Sequence, residues 1–101
     1  MTPERGAVIQ RGDTQGYAVL ISNSMLHQAS DVVILCTVVR STTMAAHFPH
    51  AIGVDAADEH LLAIPVAVHT VPVSVIKAVV GQATDEQLRD IVRVLHAATS
   101  P

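Results

Sequence analysis

The sequence predicts a mainly β protein, a small antiparallel barrel or sheet with one C-terminal α-helix packed across it. Three observations carry that expectation. Short stretches rich in Val, Ile, Leu and Ala recur between turn-forming Gly, Pro, Ser and Asp residues. Half of the 101 residues are hydrophobic and only 15% are charged, so the chain can bury a core and does not have the composition of a disordered one. Past residue 84 the apolar spacing changes from strand-like runs to a helical period.

Residues 7–10 read as a first strand, and the Arg11-Gly12-Asp13-Thr14-Gln15-Gly16 stretch as a turn with two glycines free to take positive φ. Residues 17–22 form the second strand, followed by a helical turn that Ser24 is placed to cap. Residues 31–40 are expected to be the longest strand. Their unbroken β-branched character predicts burial on both faces. After a polar connection over residues 41–50, a strand over 51–54 leads into the turn Asp55-Ala56-Ala57-Asp58. The next strand, 61–71, contains Pro65, which requires an edge or a bulge. Residues 72–76 suit one helical turn, and 77–82 a last strand. Thr84-Asp85-Glu86-Gln87 spells a capping box. Leu88, Ile91, Val92 and Leu95 then form one apolar stripe, with Arg89 and Arg93 on the solvated side. Residues 1–101 read as a single domain.

Several function classes drop out on composition. The longest apolar run is five residues, far short of the roughly 20 that span a bilayer, so no membrane association is expected. A net charge of −3 argues against broad nucleic-acid backbone binding, though not against an enzyme holding a few nucleotides through local arginines. Cys36 is the one cysteine, so the chain has neither a disulfide framework nor a cysteine zinc site. With no signal-like N-terminus, a cytoplasmic location is expected. The six histidines include one close pair, His47 and His50, flanking Phe48-Pro49 in a loop. That is not a metal-ligand spacing, and neither a metal nor a cofactor is expected. The chain has no Gly-x-Ser-x-Gly elbow and no phosphate-cradling glycine motif.

The chemistry-bearing candidates lie where strands give way to polar loops. Arg40, Ser41 and Thr42 combine a guanidinium with hydroxyls, a set that suits a phosphodiester. His69, near the end of the 61–71 strand, is expected to supply an imidazole near the same rim for proton transfer. Arg11 adds a second cation, and Tyr17 and Phe48 are the only aromatics on which a base could stack.

These residues resemble a known family, the CcdB, PemK and MazF toxins. Arg5-Gly6-Ala7-Val8 is similar to the Arg-Gly-x-Val opening of the MazF branch. Tyr17-Ala-Val-Leu-Ile-Ser-Asn23 resembles that branch's second strand. The 71–76 segment is closest to CcdB, and the helix from Thr84 resembles that of both branches. The resemblance implies a dimeric β-barrel toxin of a type II toxin–antitoxin pair, with a cognate antitoxin as partner. It implies metal-independent cleavage of single-stranded mRNA through attack of a 2′-hydroxyl on the adjacent phosphorus.

The usual groups fall elsewhere in this chain. The family's catalytic arginine aligns with Gly16, its threonine with Val39, and the acid and second arginine of some members with Val66 and His69. The expected active set is therefore a displaced one. Arg40, Ser41 and His69 would be catalytic, and Arg11, Tyr17 and Thr42 would bind substrate. The alternative is a non-catalytic toxin acting on DNA gyrase or another target, although CcdB's terminal Trp-Gly-Ile is absent. The apolar content also exceeds what a chain this short buries alone, which predicts a homodimer.

Overall fold

The computed structural model describes residues 3–40 and 50–101. Six strands close into an antiparallel barrel in the order β1-β2-β3-β5-β4-β6. They are β1 (Ala7–Arg11), β2 (Tyr17–Leu20), β3 (Val32–Arg40), β4 (Ile52–Ala56), β5 (Glu59–Pro72) and β6 (Ile76–Gln82). Helix α1 (Ser24–Ala29) joins β2 to β3, a 3₁₀ turn (Val73–Val75) joins β5 to β6, and helix α2 (Asp85–Thr99) follows β6.

Alternation along the strands sorts the apolar residues into two cores, one on each side of the β1-β2-β3 sheet. Val8, Val19, Cys36, Val38, Val54, Leu61 and Ala63 line the first, which Ile91 of α2 seals. Ile9, Ala18, Leu20, Val33, Leu35 and Val71 form the second, covered by Val73, Val75 and Ile76 at the β5–β6 connection. Burial on both faces, expected for residues 31–40, holds only at Leu35 and Cys36, because the second core takes one face at Val33 and Leu35 and the first core takes the other at Cys36 and Val38. It is instead continuous in β1 over Ala7, Val8 and Ile9 and in β2 over Ala18, Val19 and Leu20. The longest strand is β5, at 14 residues, not β3.

Pro65 produces the bulge it was expected to require. Cys36 pairs with Val68 but Val38 pairs with Ala63, so residues 64–67 stand opposite Thr37 alone. The cap of α1 is Asn23, whose side chain accepts from the backbone N–H of Leu26; Ser24 is the first helical residue. The capping box at Thr84 forms as read, with the hydroxyl accepting from Gln87 N–H and the Gln87 carboxamide accepting from Thr84 N–H. Along α2 only Ile91 is fully buried, and Leu88, Val92 and Leu95 are half-buried. Among the described residues no helix is long and apolar enough to cross a membrane.

The β4–β5 hairpin turns through two residues, Ala57 and Asp58, both at positive φ (+52° and +59°) between the paired Ala56 and Glu59. This is the geometry that Asn-Gly adopts at least cost. The double substitution Ala57→Asn with Asp58→Gly should raise stability by about 1 kcal/mol, read as an upward shift in thermal midpoint.

Cys36 is fully buried in the first core, and that burial pushes its thiol pKa up to about 12. A disulfide reagent at pH 8 should therefore leave the native protein unmodified and react fully once denaturant is added.

Candidate functional site

Strand register places the candidates more sharply than the sequence could. Tyr17 pairs with Gln10 on one side and Val38 on the other, defining a row across β1, β2 and β3. One residue further toward the rim lie Arg11, Gly16 and Val39, followed by Leu62 and Gly53 through the β3–β5 and β5–β4 pairings. Side chains of this second row share a face, the one carrying Ile9 and Leu35 lower down. Gly16, Val39, Leu62 and Gly53 are all half-exposed, so the row forms a shallow floor at one end of the barrel.

Arg11 stands at the β1 edge of that floor in a tightly tied loop. Its Nε donates to Asp13 Oδ1 at 2.9 Å and its Nη2 to Oδ2 at 2.7 Å, a bidentate fork. The hydrogen bond holds the Asp13 carboxyl below the usual carboxylate range and the Arg11 guanidinium above its ordinary value. Backbone bonds from Arg11 N–H to Gly16 O (2.8 Å) and from Gln15 N–H to Arg11 O (3.0 Å) close the turn, with Gln15 at φ +61°. Gly12 N–H donates to Val75 O at 2.7 Å, and Lys77 Nζ to Gln15 Oε1 at 3.0 Å, fastening the loop to β6 and the 3₁₀ turn.

Arg40 reaches the same end of the barrel from β3. By alternation it shares a face with Val38 rather than with Arg11, so the two guanidiniums flank the rim from opposite sides of the sheet. Arg40 Nε donates to Glu59 Oε1 at 3.2 Å, with both side chains largely in water. Tyr17 is half-buried and packs against the first core beneath this rim. Ser41 and Thr42, the hydroxyl candidates, lie outside the described residues, as do His47 and Phe48.

His69 does not join them. It is exposed and pairs with Leu35, five residues before Arg40 on β3 and so roughly 17 Å away along the strand. The expectation of an imidazole near the same rim overlooked strand direction. An antiparallel neighbour starts where its partner ends, and Arg40 accordingly pairs with Leu61 at the beginning of β5.

Four partnerships escaped the sequence reading. Glu59 and Asp13 hold the two arginines. His60 Nδ1 lies 3.0 Å from Asp55 Oδ1 across the β4–β5 hairpin. At the opposite end of the barrel, Ser22 Oγ accepts from Ile34 N–H at 2.9 Å and lies 2.6 Å from His27 Nε2, pinning α1 to β3. Only the Arg11–Asp13 spacing was open to inspection, since the other pairs depend on cross-strand register or on how α1 packs. Among the described residues no three His, Cys, Asp or Glu side chains gather as a metal site would require.

Comparison with known proteins agrees with this architecture. No curated protein matches the chain in sequence. In structure it is similar to a chain of a MazE–MazF crystal structure from Deinococcus radiodurans, with 12% identity, 97% of this chain and 96% of that one covered, and a TM-score of 0.82. It is also similar to an endoribonuclease from Mycobacterial species (16% identity, 100% and 97% covered, TM-score 0.77). A third likeness is to the Mycobacterium tuberculosis toxin MazF-mt6 (13% identity, 93% and 95% covered, TM-score 0.73). The family model for the type II toxin–antitoxin system toxin Rv0299 matches residues 6–98. A barrel with the MazF strand arrangement, matched over nearly its whole length by that model, belongs to the Rv0299 family of type II toxins and is MazF-like in fold.

Proposed function

We propose that the protein is an mRNA-cleaving endoribonuclease that uses neither metal nor cofactor, neutralised by a cognate antitoxin. One observation carries this reading. The barrel end holding Gly16 and Val39, where the resembled family places its arginine and threonine, is flanked here by Arg11 and Arg40. A phosphodiester passing into a pentacoordinate transition state gains negative charge on its non-bridging oxygens. Guanidiniums on both sides of the rim are suited to bind that charge. Ser41 and Thr42 would donate to the same oxygens from the segment that follows Arg40. His69 is left out of this set because the register sets it apart.

The structural relatives include toxin–antitoxin complexes, which supports the antitoxin as partner. Val66, 40% exposed, lies beside Val94, Ala97 and Ala98 of α2, an apolar surface that supports pairing with a second copy of the chain. The test is incubation of purified protein with a long single-stranded RNA in EDTA. Discrete fragments are expected, and RNA left intact by folded protein would overturn the reading.

A second reading has its own support. Glycine and valine occupy the positions of the family's arginine and threonine, so the toxin could arrest growth by binding DNA gyrase or another target without chemistry. Growth arrest with undegraded cellular RNA would favour it.

A further inference from the structure

Resting on the ribonuclease reading above, we infer that His60 is the proton-transferring residue of this site and that Asp55 is its positioning residue. The floor at the Arg11 end of the barrel runs Gly16, Val39, Leu62, Gly53, and His60 stands at its β4–β5 border. Register puts His60 on that same face, since Asp55–His60 and Gly53–Leu62 are cross-strand pairs two residues apart. Arg11 and His60 thus share one face with β2 and β3 between them, about 14 Å of sheet, and His60 stands on the Arg40 side of the rim, where Arg40 pairs with Leu61.

Two features fix the imidazole. Its Nδ1 is 3.0 Å from Asp55 Oδ1, which assigns the proton of the neutral ring to Nδ1 and leaves Nε2 as the free base. The ring also lies over Gly53, where a Cβ would come within 2.8 Å of Cε1 and 3.2 Å of Nε2. The neighbouring hollow of about 460 Å³, lined by Asp55, Asp58, Glu59, His60 and Val80, is open to solvent. Among the described residues no other histidine is held by a carboxylate.

His60 Nε2 takes the proton of a ribose 2′-hydroxyl while O2′ forms a bond to the adjacent phosphorus. The P–O5′ bond breaks, giving a 2′,3′-cyclic phosphate. The departing 5′ oxygen takes a proton from water, and His60 returns its proton to solvent.

Steady-state cleavage of a single-stranded RNA in EDTA tests this. His60→Gln should lower kcat about 100-fold or more with KM within about threefold, the signature of lost proton transfer rather than lost binding. Asp55→Ala should lower kcat about tenfold, and Asp55→Asn, which keeps an acceptor for Nδ1, should recover most of that loss. His96→Gln, on the exposed end of α2, should match the parent. Both sites are on the surface, and unchanged thermal midpoints would certify folding. If the parent cleaves RNA and folded His60→Gln retains kcat within twofold, the inference fails and the ribonuclease reading survives. If the folded parent leaves RNA intact, both fall together.

Discussion

Gly81→Ala should lower the unfolding free energy by about 2 kcal/mol and the thermal midpoint by roughly 10 °C. The barrel closes between β4 and β6 through a single paired position, Ala56 with Gly81, and a hydrogen bond from Ala57 N–H to Val80 O at 3.0 Å. A Cβ on Gly81 would fall 2.6 Å from Ala56 Cβ, 3.0 Å from Ala56 Cα and 3.1 Å from Asp55 O. Most of those atoms are main chain, and the Ala56 Cβ is rigidly attached to it, so no rotamer change can make room. Alanine otherwise suits a strand better than glycine, by about 0.5–1 kcal/mol, so the net cost is the clash less that gain.

Two controls isolate the cause. Gly12→Ala places its Cβ no nearer than 3.5 Å to Val75 O, an ordinary contact, and should be close to neutral. Ala56→Gly combined with Gly81→Ala moves the methyl across the seam and should recover much of the loss in a double-mutant cycle. A chemical-denaturation series gives all four values. A Gly81→Ala protein as stable as the parent would mean that the seam is looser than these distances state.

The second large effect belongs to Arg11. Replacing it with alanine should reduce RNA cleavage about 100-fold, the usual cost of removing one donor to a developing oxyanion. Arg11→Lys should recover only part, because a lysine keeps the charge but not the fork that Asp13 now grips. Stability should hardly move, since an ion pair at the surface is screened by water and contributes little.

Acid should loosen the loop in a defined direction. Asp13 has its carboxyl held below the usual range in the folded protein, so its contribution is present above that range and is lost as pH falls through the depressed value. The Arg11–Asp13 fork is therefore intact at neutral pH, where activity would be measured. Phosphate must compete with Asp13 for Arg11 or bind the Nη1 edge left outside the fork.

What the sequence made legible was whatever depends on neighbours in the chain. The capping box at Thr84, the bulge at Pro65 and the helical turn after Pro72 are local, and each formed. The Ala57-Asp58 turn was found by position, yet nothing in those residue types announces two consecutive positive φ values. Register, by contrast, is a property of two strands at once. It decided that His69 faces Leu35 rather than the Arg40 rim, that Glu59 meets Arg40, and that His60 lies over Gly53 beside Asp55. A single sequence gives the polar residues of a site readily; their assembly follows from pairings such as Arg40 with Leu61, set by the barrel's closure and by one proline bulge.

On this reading the barrel end binds and cuts RNA through its flanking arginines. The most direct measurement compares the parent with Arg11→Ala and Arg40→Ala on one long single-stranded RNA in EDTA, with folding checked by thermal midpoint. Discrete fragments are expected from the parent, with cleavage reduced at least tenfold in each variant. Fragments produced equally well by folded Arg11→Ala and Arg40→Ala proteins would contradict it.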